Sequence, residues 1–173
     1  MKGNFETLLT RIKEDDEEAF KELFFMFYND VFKFLYFLGG DETTAEDLCQ
    51  ETFINFWLAR KRIIPDFPPK NYLFKIARNL YLNYKRDTKQ TIGIDELPLA
   101  GENTHMDEYE TKEIILNLLN ELPPKCREVF ILSRYNEFSY KEIAELLNIS
   151  LQTVKNQMSK ALAILRAKIK DYL

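Results

Sequence analysis

The chain has 173 residues, 46% of them hydrophobic and 14% aromatic, enough to pack one mid-sized domain or two small ones. A single histidine (His105, in a polar stretch) excludes a histidine-built metal centre, and neither GxxxxGK, GxGxxG nor CxxC occurs. The formal net charge of -4 and pI near 5.2 are at odds with a polyanionic ligand, whose affinity comes largely from neutralised phosphates.

The first residues, MKGNFETLLTRIKEDDEE, turn acidic where a secretory leader would turn apolar. A short helix is predicted over 4–13, with Phe5, Leu8, Leu9 and Ile12 on one face. A long helix over 17–38 turns Phe20, Leu23, Phe24, Phe27, Val31, Phe34, Leu35 and Leu38 inward and stops at Gly39 and Gly40. Its run VFKFLYFLGG is too short and interrupted to cross a bilayer, so a cytoplasmic chain is expected, not a membrane protein. Thr43-x-x-Glu46 reads as a capping box opening the helix AEDLCQETFINFWLARKR. RIIPDFPPK reads as a loop, because three prolines in five residues break a helix. KNYLFKIARNLYLNYKRD resumes the helical period with Leu73, Ile76, Ala77, Leu80 and Tyr84 on its core face.

Composition changes at DTKQTIGIDELPLAGENTHMDE, which is polar, acidic and aperiodic and reads as a linker of about 20 residues. Beyond it lie the helical patterns EYETKEIILNLLNEL and, restarted by Pro123 and Pro124, PKCREVFILSRYN. Last comes SYKEIAELLNISLQTVKNQMSKALAILR, two helices broken at 148–150, a helix-turn-helix pattern. Ser139-x-x-Glu142 is a second capping box, and Ser150 caps the final helix. No strand alternation occurs. The predicted fold is all-α, with two small helical domains, 1–87 and 109–173, joined by a flexible acidic linker, 88–108. Cys49 and Cys126 fall on apolar helical faces and are expected to be buried free thiols.

Charge is unevenly spread along this order. Residues 1–59 hold 5 basic and 13 acidic residues, whereas 60–90 hold 9 basic and only Asp66 and Asp87 against them. Residues 91–123 set Lys112 against 8 acids, and 124–173 set 9 basic residues against 5 acidic ones. Two basic blocks alternate with two acidic ones, which points to a partner for each sign and to nucleic acid for the basic pair.

Three surfaces carry the chemistry. In the last helix Val154, Met158, Ala161, Leu162 and Leu165 recur at core spacing, facing Ile143, Ala144 and Leu147. Gln152, Thr153, Lys155, Asn156, Ser159 and Lys160 are left outward, residue types that reach base edges or phosphates; a structural three-helix bundle with a polar surface fits the same period. The helix of 70–87 sets Tyr72, Phe74, Tyr81 and Tyr84 among Lys75, Arg78, Lys85 and Arg86, behind a loop with Phe67. Aromatics amid cations suit single-stranded nucleic acid, and aromatics at helical spacing equally suit a core. In AEDLCQETFINFW, Asp47, Gln50, Glu51 and Asn55 point outward beside Trp57, either as a protein-docking face or as plain solvated helix. No cluster of nucleophile, base and orienting residue appears, so no enzyme is expected, and no cofactor or small-molecule substrate.

In this order, and over about residues 16–169, the pieces resemble the extracytoplasmic-function (ECF) sigma factors of bacterial RNA polymerase. AEDLCQETFINFW resembles the family's core-polymerase-binding helix, NYLFKIARNLYLNYKR the helix supporting −10 recognition, and LPPKCREVFILSRYNEFSYKEIAELLNISLQTVKNQMSKALAILR the −35 domain. The resemblance implies a non-catalytic subunit that binds core RNA polymerase, recognises the −10 and −35 promoter elements and assists strand opening. It implies that Asp47, Gln50 and Glu51 dock on the polymerase. It implies that the loop from Lys61 to Lys70, with Arg62 and Phe67, holds a flipped base of the non-template strand. Lys75, Arg78, Lys85 and Arg86 would flank that strand, and Gln152, Thr153, Lys155, Asn156, Ser159 and Lys160 would face the −35 major groove. Family members often carry arginine where this chain has Lys160, a point charge in place of a bidentate fork. An anti-sigma factor is a further implied partner. A stand-alone helix-turn-helix regulator is the competing reading; it accounts for 124–173 and leaves AEDLCQE without a role.

Overall fold

A computed structural model describes residues 2–39, 41–91 and 106–172. Residues 92–105, which include His105 and most of the expected linker, lie outside the described residues. All the described elements are helical, and they group into two compact units, residues 2–36 with 41–91 and residues 37–39 with 106–172.

The first unit opens with α1 (Lys2–Lys13), which buries Leu8, Leu9 and Ile12. The chain reverses at Asp15, in the left-handed region at φ 68. The Asp16 carboxylate then accepts the Ala19 N–H at 3.0 Å and starts α2 (Glu17–Gly39). Helix α2 buries Ala19, Leu23, Phe27, Val31, Phe34 and Leu35. Helix α3 (Glu42–Ala59) is capped by Asp41, whose side chain accepts the Thr44 N–H at 3.1 Å. The Thr43–Glu46 capping box does not form. An aspartate directly after the Gly-Gly stop offers a charged acceptor two residues earlier, and it favours the positive end of the helix dipole.

Helix α3 runs antiparallel to α2. Phe20 packs on Trp57 and Phe56, and Phe24 and Tyr28 pack on Phe53, with ring centroids 4.8 to 6.5 Å apart. Thr52, fully buried, donates its hydroxyl to the Leu48 carbonyl at 2.7 Å and so leaves no orphaned polar group. The expected helix end at Arg62 tightens into a 3-10 turn, Arg60–Arg62. Proline breaks the chain as foreseen at 63–68, but Pro69 begins α4 (Pro69–Thr91). A first-turn proline has no helical hydrogen bond to lose, and its fixed φ already suits the helix. Helix α4 buries Leu73, Phe74 and Ala77, with Phe34 and Phe74 rings 5.1 Å apart. It extends four residues beyond the predicted end, since Thr88, Lys89, Gln90 and Thr91 include no breaker. Tyr84 is not a core residue: it is 38% exposed, with its hydroxyl 3.4 Å from that of Thr44. The amphipathic tyrosine body can pack at a core margin while its hydroxyl stays wet.

The second unit holds α5 (Met106–Asn120), α6 (Pro124–Arg134), α7 (Tyr140–Leu147) and α8 (Leu151–Lys168), closed by a 3-10 turn, Ile169–Tyr172. Its core is Leu119, Leu122, Cys126, Val129, Ile131, Leu132, Phe138, Ile143, Val154, Met158 and Ala161. The Ser139 capping box forms in full: Ser139 Oγ accepts the Glu142 N–H at 3.2 Å, and Glu142 Oε2 accepts the Ser139 N–H at 2.8 Å. Asn148, left-handed at φ 53, ends α7, and the Ile149 N–H returns to the Ala144 carbonyl at 3.0 Å. Two residues on, Ser150 Oγ accepts the Thr153 N–H at 3.0 Å and starts α8. Stop and start signals two residues apart set the angle between α7 and α8.

Both cysteines are buried free thiols. Burial pushes the Cys49 thiol up to about 12, and its sulfur lies 3.6 Å from the Tyr28 carbonyl. The Cys126 thiol, also raised by burial, donates to Gln157 Oε1 at 2.9 Å. Thiolate is the reactive form, so native Cys49 should resist an aromatic disulfide reagent at pH 8 and react promptly in guanidinium. Labelling at the rate of a free thiol in the folded protein would contradict this packing. Replacing Ser139 by Ala should lower stability by about 1 kcal/mol. Urea unfolding followed by circular dichroism measures it, and an unchanged midpoint would deny the cap its role.

Candidate functional site

Past the first turn of α4 the basic positions are 75, 78, 85, 86 and 89, which at 100° per residue fall within about 100° of arc. Lys75, Arg78, Lys85, Arg86 and Lys89 therefore share one side, opposite the Leu73–Ala77 core face. Lys75, Arg86 and Lys89 are exposed, while Arg78 and Lys85 are half-buried. Arg86 Nε contacts Asp87 Oδ1 at 3.4 Å. The interleaved aromatics divide between the two roles that the sequence left open. Phe74 is core, with the Lys70 ammonium 5.9 Å over its ring. Tyr72 is half-buried and its hydroxyl accepts the Ile64 N–H at 3.0 Å, so it braces the loop. Tyr81 is half-buried. Phe67 is 52% exposed, edge-on to Tyr72 with centroids 6.1 Å apart, and like Tyr84 it leaves ring surface open to solvent.

The loop region is anchored more tightly than its prolines alone would make it. Ile63 is buried, Ile64 is held by Tyr72, and Lys61 Nζ lies 2.9 Å from Asp15 Oδ2 and 2.6 Å from the Lys13 carbonyl. Lys61 is thus committed to an internal carboxylate and carbonyl. Arg62 is exposed and lines a groove of about 430 Å³ between α3 and α4. Leu58, Ala59, Ile76 and Leu80 give this groove apolar walls; Asn55, Asn79, Asn83 and Arg62 give it amides and a guanidinium. Asparagine presents a paired donor and acceptor, and arginine a pair of donors, that match base edges. A smaller recess of about 70 Å³, bounded by Phe56, Ala59, Arg62, Ile63, Tyr72 and Ile76, adjoins it. Asn79 and Asn83 were missed in the sequence. Their signal is a pair of amides one helical turn apart on the margin of the core face, next to Ile76 and Leu80.

On α3 the side chains of Asp47, Gln50 and Glu51 are exposed on one face. Ile54, 57% exposed, and Leu58, 67% exposed, continue the same stripe at intervals of three and four residues. These two were also missed; apolar positions off the core period are their signal. An acidic and amide head followed by bare aliphatic side chains is chemistry for a protein surface rather than for phosphate.

On α8, Gln152, Lys155, Asn156, Ser159 and Lys160 are exposed, and Val154, Met158 and Ala161 are buried. Leu162 and Leu165 are half-buried. Gln152 Nε2 donates to Asn156 Oδ1 at 2.9 Å, one amide holding the next in place. Thr153 is half-buried, with its hydroxyl 2.8 Å from Ser150 Oγ, so it belongs to the cap as much as to the outer face. No helix among the described residues is long and apolar enough to cross a membrane.

Comparison with known proteins matches residues 23–91 to Sigma-70 region 2 and residues 112–165 to Sigma-70 region 4. The chain is 32% identical over 152 residues to ECF RNA polymerase sigma factor SigM of Bacillus subtilis (strain 168), covering 84% of this chain and 92% of that protein. It is 26% identical over 178 residues to SigW of the same organism, covering 94% and 95%. Its fold resembles that of CnrH, solved with the cytosolic domain of CnrY, at TM-score 0.79 and 22% identity, covering 96% of this chain and 97% of that one. It also resembles RpoE from Bartonella quintana, solved with the anti-sigma factor NepR, at TM-score 0.74 and 23% identity, covering 88% and 98%. With a region 2 unit followed by a region 4 unit, and relatives that share nearly the full length of both, the chain belongs to the ECF sigma factors, which direct transcription by RNA polymerase.

Proposed function

We propose that the three surfaces divide the work of initiation among them. Asp47, Gln50 and Glu51, extended by Ile54 and Leu58, dock on core RNA polymerase. The groove of Asn55, Arg62, Asn79 and Asn83 receives an unpaired base of the −10 non-template strand, with Phe67 as a stacking surface at the loop. Lys75, Arg78, Lys85 and Arg86 follow the strand's phosphates, and Lys70 and Lys61 support the loop from behind. Gln152, Lys155, Asn156, Ser159 and Lys160 face the −35 major groove, with Thr153 at its margin. Residues 1–87 thus serve the polymerase and the −10 element, 109–173 serve the −35 element, and 88–108 tether them. The chain works in the cytoplasm, has no catalytic step of its own, and is held in check by an anti-sigma factor; the similarly folded RpoE was solved in complex with one, NepR.

The observation that carries this reading is the pair of neighbouring flanks on α3. One flank, at Asp47, Gln50 and Glu51, is acidic and amide. The other, at Asn55 and Ala59, opens into the amide-and-arginine groove that α4 completes. Unpairing a base costs a few kcal/mol, which a groove of this chemistry can return through base-edge contacts.

Run-off transcription with purified core enzyme on a promoter library tests the whole assignment. Core plus this chain should select promoters sharing −10 and −35 elements; transcripts indifferent to both would refute it. Lys155→Glu should leave the melting temperature unchanged, because the side chain is exposed. It should weaken −35 binding and flatten the slope of log affinity against log salt by about one. An unaltered slope and affinity would remove Lys155 from the DNA face.

A further inference from the structure

The α1–α2 turn reaches across the first unit to the start of the loop. Lys13 Nζ donates to the Ile63 carbonyl at 2.8 Å, and Lys61 Nζ returns to the Lys13 carbonyl at 2.6 Å. Asp15 receives Arg60 Nε at 2.6 Å on one carboxylate oxygen and Lys61 Nζ at 2.9 Å on the other. Arg60 is anchored on its far side as well, 4.1 Å over the Trp57 ring and 2.8 Å from the Trp57 carbonyl. Asp15 holds this position with φ 68, so the turn presents its carboxylate at the cost of a left-handed residue. Hydrogen bonds from Lys61 and then Arg60 hold the Asp15 carboxyl below the usual carboxylate range, so it is charged at neutral pH.

These bonds take up residues 60, 61 and 63, and Tyr72 takes up 64. Arg62 alone of this run turns to the groove. We propose that Lys13 and Asp15 are positioning residues for −10 recognition: they strap the Arg60–Ile63 turn so that Arg62 is set at the wall of the base groove. The strap rests on the groove reading given above. Neither Lys13 nor Asp15 lies within the segment matched to Sigma-70 region 2, which begins at residue 23, so the strap is added from outside that segment. A base groove must be right to a fraction of an ångström, and a loop of six residues between two helices does not supply that rigidity by itself.

The test uses holoenzyme assembled from core polymerase and the full chain, binding pre-melted promoter DNA with each of the four bases at the flipped −10 position. Lys13→Met keeps the aliphatic stem and loses the bond to Ile63. It should lower discrimination between the preferred and the other bases by about three- to tenfold. Affinity for core and the melting temperature should hold, and Lys13→Arg should restore discrimination. Asp15→Asn, which accepts a left-handed φ as readily, should lower discrimination in the same direction without backbone strain. Arg62→Ala and Asn79→Ala examine the groove itself. Loss of discrimination in these two with none in Lys13→Met or Asp15→Asn overturns the strap and leaves the groove standing. Full discrimination in all four overturns both. Reduced core affinity or melting temperature, with base ratios unchanged, makes the strap merely structural and overturns it too.

Discussion

The aromatic seam between α2 and α3 is the constraint on which the first unit depends. Phe20, Phe24 and Tyr28 meet Trp57, Phe56 and Phe53 in reverse order, so the two helices can align in one register only. Such ring pairs each add roughly 0.5–1.5 kcal/mol beyond their burial. The register fixes the rotation of α3, turning Leu48, Cys49, Thr52 and Phe56 inward. It follows that Asp47, Gln50 and Glu51 lie on the outer flank and that Asn55 and Ala59 line the groove with α4. A slip of one residue on α3 would turn its faces by about 100° and place the carboxylates in the groove.

An acidic protein that reads DNA is less of a contradiction once charge is followed in space. The acids of α3 lie on the flank beside the groove and do not line it, and the cations of α4 lie along one side of a different helix. At physiological salt, exposed charges act over about 8 Å, so local sign matters more than the total. The chain's acids also work internally. Asp41 and Asp16 cap helices, and Asp15 pairs with Arg60 and Lys61. A stand-alone regulator would need the second unit only, whereas the match to Sigma-70 region 2 spans 23–91 and accounts for the first.

Local chemistry determined much of this from the sequence alone. The helices, their inward faces, the Ser139 box, the Ser150 cap, the buried thiols and the exposed faces of α3 and α8 follow from periodicity and from short-range hydrogen bonds, which depend only on residues a turn apart. The competition between Asp41 and Thr43 for the start of α3 did not follow, because both are good caps and the preceding turn decides between them. Tyr84 likewise sits on the core period, yet at the far margin of the core, and only packing shows where a core ends. The groove required the tertiary structure, since Asn55 and Arg62 come from one helix and its turn, and Asn79 and Asn83 from another. So did the strap, whose bonds join residues 45 to 50 positions apart. No sequence period relates such residues. Their approach is set by how α1, α2 and α3 pack, and that packing commits Lys61 to Asp15 and turns Arg62 to the groove.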